Sequence, residues 1–90
     1  MSIKVEVFST PGCRHCDRAR DSLKTIAQAF GEHRVIWRDV NLLDELDYAV
    51  ALGVLTPPSM VIDGELVFPN LPSAAELREE LTRRFERERT

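Results

Sequence analysis

Cysteine is scarce in this chain of 90 residues: there are two, Cys13 and Cys16, and no others. No uninterrupted apolar run approaches the ~18 residues of a membrane span, which excludes a transmembrane helix from the expectations. No basic stretch followed by an apolar one opens the chain, so no secretory signal is read and a cytoplasmic setting is expected. Basic charge is not in surplus either. The formal net charge is -3, which gives no electrostatic footprint for nucleic acid. Internal repeats, low-complexity segments and linkers are also missing, so residues 1–90 read as one domain near the small end of what folds alone. What is present suits a globular protein: 43% apolar residues for a core and 30% charged residues for a water-facing surface. The mixed-sign tail over 82–89 reads as a solvated helix end.

An alternating apolar run predicts a first strand over 3–8, followed by a turn at Thr10-Pro11-Gly12. A first helix is expected over 13–30, because Cys16, Ala19, Leu23, Ile26, Ala27 and Phe30 recur at three- and four-residue spacing. Gly31 is its stop. A second strand is expected over 35–40. A short helix over 44–52 should turn Leu42, Leu46, Ala49 and Val50 inward and end at Gly53. Thr56-Pro57-Pro58 suits neither helix nor central strand. Residues 59–62 and 65–68 flank Asp63-Gly64, the signal of a type I′ hairpin. A last helix begins at Ser73, where Ser73 and Glu76 have capping-box spacing and Leu77, Leu81 and Phe85 line one face. The order βαβαββα requires a parallel pair with a right-handed crossover and a closing antiparallel hairpin, hence a mixed four-stranded α/β sheet flanked by helices on both faces.

The two cysteines stand three residues apart where the first strand turns into the first helix. In a reducing compartment a lone pair at this spacing reads as a redox dithiol rather than a structural bridge. One helical turn brings the sulfurs within bonding reach, and a helix start favours the thiolate. Cys13 at the helix start is the exposed, attacking thiol. Cys16, in register with Ala19 and Leu23, is the shielded, resolving one. Arg14 and His15 add positive potential beside the sulfur, His15 only when protonated. Two other readings stay open: a buried pair of small apolar residues, and a metal-binding dithiol module. Tetrahedral zinc needs about four ligands. Cys13, Cys16, His15 and the distant His33 would complete a site only with a second subunit.

This order of elements, with C-x-x-C after the first strand and a proline before the third, resembles the thioredoxin fold over nearly the whole chain. Residues 7–16, V-F-S-T-P-G-C-R-H-C, are similar to the active-site segment of glutaredoxins. Thr56-Pro57-Pro58 sits where the superfamily carries its cis-proline. The resemblance implies a thiol–disulfide oxidoreductase in which Pro58 packs by the dithiol, with Gly12 and Pro57 lining the substrate groove and Thr56 either lining it or capping the turn. The residue before that proline usually pairs its backbone with an extended substrate. Pro57 has no N–H to offer, which implies weaker capture of peptides and of glutathione. There are departures too. The Gly-Gly pair of glutaredoxins is replaced by the sequence 68–72, F-P-N-L-P. Gly12 replaces the usual aromatic, and Val7 stands where thioredoxins bury an aspartate. The chain is therefore most similar to the compact thioredoxin-like proteins called glutaredoxin-like or redox-active disulfide proteins.

The implied partners are a protein or small-molecule disulfide and a reductase or thiol donor, with glutathione left open. No cofactor is implied, because the dithiol carries the two electrons, and no metal, nucleic acid or membrane is expected. The rival reading is an electron-transfer or binding partner dedicated to one enzyme. Other conspicuous residues have plainer expectations. His33 is placed in an exposed loop, Trp37 in the core or at a sheet edge, and Tyr48 on a helix surface. Asp17, Arg18, Arg20 and Asp21 are assigned to the exposed side of the first helix, where Arg14 and Arg18 could steer an acidic partner. Lys4 and Glu6 share one side of a central strand. Either the layer over that face is thin, or Glu6 helps to move the Cys16 proton.

Overall fold

The computed structural model describes residues 2–10, 14–31, 33–54 and 58–88, with the side chains of 14–17 and 88 outside the description. Seven elements follow in the order β1 (Ile3–Ser9), α1 (Arg14–Gln28), β2 (Val35–Asn41), α2 (Leu46–Leu52), β3 (Ser59–Ile62), β4 (Glu65–Phe68) and α3 (Ala74–Glu88). The sheet order is β2-β1-β3-β4. β1 pairs parallel with β2 from Ile3↔Val35 to Ser9↔Asn41 and antiparallel with β3 from Val5↔Ile62 to Phe8↔Ser59. This is the expected α/β architecture, a mixed four-stranded sheet.

Alternation along β1 divides the core in two. Ile3, Val5 and Val7 point to one face and pack with Leu23 and Ala27 of α1, Met60 and Ile62 of β3, and Leu77, Leu81 and Phe85 of α3. Phe8 points the other way and packs with Val40, Val61, Ala49 of α2, Leu42 and Val54. Helices thus cover both faces, two on the first and one short helix on the second. The α1–α3 contact is sealed by the rings of Phe30 and Phe85, 5.6 Å apart, with the Arg34 guanidinium 4.2 Å above the Phe85 ring.

The hairpin between β3 and β4 forms as its turn residues dictate. Asp63 and Gly64 adopt φ of 51° and 79°, the two positive angles of a type I′ turn. The backbone N–H of Asp63 donates to the Lys4 carbonyl (2.8 Å), and its Oδ1 accepts from the Lys4 N–H (2.9 Å), so the tip is tied to β1. β4 carries a bulge, because Met60 pairs with Phe68 while Val61 pairs with Leu66. Val67 is the extra residue. As a consequence, Val67 and Phe68, though consecutive, both pack on the first core while Leu66 packs on the second.

The short helix departs from expectation. It begins at Leu46 rather than residue 44, because Asn41 captures the preceding amides. Its carbonyl accepts from Asp44 and Glu45, and its Oδ1 accepts from Leu43 N–H at 2.9 Å. Leu46 and Val50, expected inward, are 53% and 58% exposed; Ala49 and Leu42 are buried as expected. Tyr48, expected on the surface, is half-buried instead. Its ring lies 5.8 Å from that of Phe8 and its hydroxyl reaches Glu6 at 2.7 Å. An amphipathic ring with a polar tip fills a site where a buried acceptor waits, and a leucine could not. Gly53 closes the helix at φ 86°, and the Val54 N–H donates to the Ala49 carbonyl (2.9 Å), the long bond of a Schellman cap.

At the start of α3 the capping box is formed in both directions: Glu76 N–H donates to Ser73 Oγ (3.2 Å) and Ser73 N–H to Glu76 Oε1 (3.0 Å). The backbone bond from Ser73, then its hydroxyl contact, hold the Glu76 carboxyl below its ordinary value of 4.5. A depressed folded-state pKa stabilises the fold above the unfolded value, and that contribution is lost as pH falls through the folded value. Urea unfolding should show Ser73→Ala destabilised by about 1 kcal/mol at neutral pH. Glu76→Ala should be less stable than wild type at pH 7, with the difference closing as pH drops below about 4.

Candidate active site

β1 and β2 run parallel, so their carboxyl ends lie together, and β3 begins beside them. Ser9 pairs with Asn41 on one side, and Phe8 pairs with Ser59 on the other. One register step beyond Ser59 lies half-buried Pro58, across from Ser9. The same end of the sheet receives the first turn of α1, which starts at Arg14 and includes the backbone of His15 and Cys16. Amide N–H groups of a first helical turn have no intrahelical acceptors and carry the positive end of the helix dipole. The structure therefore brings the Cys16 position, Ser9 and Pro58 to one end of the sheet. Gly12, Cys13, Thr56 and Pro57 lie outside the described residues, as do the side chains of Arg14, His15 and Cys16.

A polar cluster sits at this end. Arg20, expected on the exposed side of α1, turns back over the strands, with its side chain 23% exposed. Its Nη1 donates to Ser9 Oγ (3.3 Å) and its Nε lies 3.5 Å from Asp39 Oδ1. The same carboxylate oxygen accepts from Trp37 Nε1–H at 2.9 Å. Asp39 pairs in register with Val7, so it shares the sheet face that α1 covers. Trp37 meets both of its expectations, since it lies on the edge strand β2 and packs against the first core. Sequence reading missed Arg20 and Asp39. The available signal was that Arg20 lies four residues after Cys16, on the flank of the apolar face.

Glu6 belongs to the opposite face, and this overturns one of its two expected roles. It shares its side of β1 with Phe8 and faces α2, so the sheet separates it from α1 and from Cys16. The expectation of a thin layer holds instead: α2 has seven residues, and the Lys4 side chain stays 49% exposed. Glu6 itself is wholly buried. It accepts from Tyr48 Oη–H (2.7 Å) and from Arg38 Nη1 (2.8 Å), with Lys4 Nζ at 4.0 Å. Arg38 in turn holds both Glu45 oxygens through Nη2, at 2.7 and 2.8 Å. These bonds, first that to Glu45 and then that to Glu6, raise the Arg38 guanidinium above its ordinary value. Tyr48 is raised above 10.0 mainly because its proton is held by Glu6, with burial second. Among the described residues no buried side-chain polar atom lacks a partner.

His33 is exposed and precedes β2, whereas the Cys16 position follows β1. A parallel pair of seven residues puts them at opposite ends of the sheet, about 20 Å apart. One chain therefore cannot join His33 and Cys16 around one metal ion.

Residues 1–82 match the family model described as "Thioredoxin domain". The chain belongs to the thioredoxin family. Among curated proteins it is similar to a thioredoxin of Methanocaldococcus jannaschii, 27% identical over 83 residues, covering 92% of this chain and 96% of that one. It is also similar to a probable thioredoxin of Methanothermobacter marburgensis, 26% identical over 86 residues and covering 96% and 100%. Among solved structures, thioredoxin 1 of Thermosipho africanus superposes with a TM-score of 0.77 at 21% identity, covering 97% of this chain and 99% of that one. Fasciola hepatica thioredoxin gives 0.72 at 23%, covering 91% and 80%. These structures share the fold. Family membership assigns this thioredoxin-family chain to the thiol–disulfide oxidoreductases.

Removing the donor of a buried acceptor costs about 1–3 kcal/mol. Tyr48→Phe should lose that much in urea unfolding at pH 7. The raised Tyr48 value adds a second expectation: its stabilisation is full below pH 10 and lost as pH rises through the folded value. Tyr48→Phe should therefore have a shallower alkaline decline in stability than wild type.

Proposed function

We propose that the chain reduces or exchanges protein and small-molecule disulfides through a Cys13–Cys16 dithiol, the C-R-H-C motif. The observation that carries this reading is the placement of the motif. In sequence the only two cysteines follow β1, Cys13 just before α1 and Cys16 in its first turn, in a chain of the thioredoxin family. The Cys13 thiolate attacks one sulfur of a substrate disulfide, forming a mixed disulfide and expelling the other sulfur as a thiolate. Cys16 gives up its proton and attacks the Cys13 sulfur, closing the internal disulfide and releasing the second substrate thiolate. Two electrons pass to the substrate, and two protons complete its thiols. The open helix start, Arg14 and protonated His15 stabilise the thiolate. Pro58, across from Ser9, is assigned to the border of the dithiol, and the family resemblance assigns Gly12, Thr56 and Pro57 to substrate binding. A reductase or thiol donor restores the dithiol, and a reducing, cytoplasmic setting fits this direction. Among the described residues no helix is long and apolar enough to cross a membrane.

A second reading, service to one cognate enzyme, is favoured by the outward Leu43, Leu46 and Val50, which are 67%, 53% and 58% exposed. Reduction of several unrelated protein disulfides supports the first reading; activity with one protein alone supports the second.

Stabilising the reduced thiolate makes a disulfide more oxidising. Equilibration in graded glutathione buffers, followed by acid quench and mass measurement, should show loss of two hydrogens at about -240 to -160 mV, above the roughly -270 mV of thioredoxin. A stable glutathione adduct on Cys13 would point to glutaredoxin-type exchange instead. Cys13→Ser should abolish attack and Cys16→Ser should trap mixed disulfides; a Cys16→Ser protein that never accumulates adducts would reverse the assigned order. Pro57→Val restores a backbone donor and should tighten peptide capture, measured as a lower KM for a disulfide peptide.

A further inference from the structure

We propose that Arg20 and Asp39 form an opposed charge pair that sets the thiolate fraction of the dithiol, Arg20 raising it and Asp39 lowering it. This rests on the Cys13–Cys16 reading above and adds two positioning residues to it. Arg20 lies one turn after Cys16 in the continuous helix α1, so the two positions share a helix face. Side chains on a helix lean toward its amino end, and the contacts of Arg20 show that lean. Its guanidinium reaches Ser9, the last residue of β1, and Asp39, near the end of β2. A permanently charged group is thereby held at the carboxyl end of β1, the end from which the chain runs on to the cysteines.

Asp39 only partly cancels that charge. Its Oδ1 is bound more closely by Trp37 Nε1 (2.9 Å) than by Arg20 Nε (3.5 Å). Trp37 thus fixes the carboxylate on the edge strand while the guanidinium leans toward the strand ends. Other charges lie nearby, and the pair acts in addition to them. Arg38 points to the far face, where Glu6 and Glu45 engage it. Ser59 of β3 and Pro58 before it carry no charge. α1 itself carries Arg14, His15, Asp17 and Arg18 in its first turns.

The test follows the pH dependence of Cys13 alkylation by iodoacetamide, read by mass on the reduced full chain, together with the redox potential. It uses wild type, Arg20→Gln, Arg20→Lys, Asp39→Asn and the Arg20→Gln/Asp39→Asn double variant. Arg20→Gln should lower the thiolate fraction at pH 7 about threefold, and Asp39→Asn should raise it about threefold, the size of one partly screened unit charge nearby. Arg20→Lys keeps the charge and should stay within about twofold of wild type, and the double variant should return close to it. Alkylation profiles that superimpose for Asp39→Asn, Arg20→Lys and wild type, with Arg20→Gln shifted no further, would overturn the inference, whatever the variants do to stability. A wild type that forms no internal disulfide would instead overturn the Cys13–Cys16 reading, so the two failures are distinct.

Discussion

The structure depends on β1 being buried on both faces. Among the described residues it is the only strand hydrogen-bonded to a parallel neighbour on one side and an antiparallel one on the other. Because side chains alternate, each residue of β1 must satisfy a different layer. Ile3, Val5 and Val7 do so with aliphatic packing under α1 and α3. Glu6 cannot. A carboxylate taken out of water costs several kcal/mol unless it is paired and hydrogen-bonded. Arg38 from the next strand and Tyr48 from α2 together meet that requirement. The second layer is therefore built around a polar anchor, with Phe8, Val40 and Ala49 packed beside it. This explains how a helix of seven residues can be held in place while Leu46 and Val50 face outward.

The same strand places the site. β1 ends at Ser9, which meets Asn41 on one flank and lies across from Pro58 on the other. The described elements assigned to the proposed dithiol hang from that end: the first turn of α1, Pro58 before β3, and the polar tip of Arg20. The far end is occupied by the hairpin, whose Asp63 is tied to Lys4. Arg84 of α3 reinforces that end, with Glu65 at 3.5 Å and Asp63 at 3.9 Å. The interlocked end and the proposed reactive end are thus separated by the length of the central strand.

Features set by neighbours in sequence were legible before the structure. Asp63-Gly64 makes a type I′ turn because both residues tolerate positive φ, and Ser73 with Glu76 makes a cap because the bonds span three residues. α1 and α3 have fifteen residues each, enough for a periodic pattern to fix which face is buried. Seven residues do not suffice for α2. Leu46 and Val50 were as good a candidate face as Tyr48 and Ala49 until the polar demand of Glu6, 42 residues from Tyr48 in sequence, chose between them. Arg20 escaped for a similar reason. A charged residue beside an apolar stripe reads as solvated, and only the positions of Ser9 and Asp39 show that a long side chain can turn back to reach them. The proposed active-site segment is read from a local motif, C-x-x-C after a strand, whereas the Arg20–Asp39 pair joins a helix to a strand and was not legible.

β2 shows how one strand can serve both purposes. Arg38 and Asp39 are adjacent, and alternation sends them to opposite faces. Arg38 joins a network in which Glu6 is fully buried and each carboxylate is bound. Disturbing such a network costs stability, because a charge left unpaired in the interior has no water to turn to. Asp39 joins a cluster that keeps contact with solvent, its side chain 43% exposed and its ion pair with Arg20 at 3.5 Å. Water screens such a pair, so its contribution to stability is small. Its field still acts on any ionisable group beside it, in proportion to proximity. Substitution at the open cluster therefore leaves the fold in place, whereas substitution in the closed cluster loosens it.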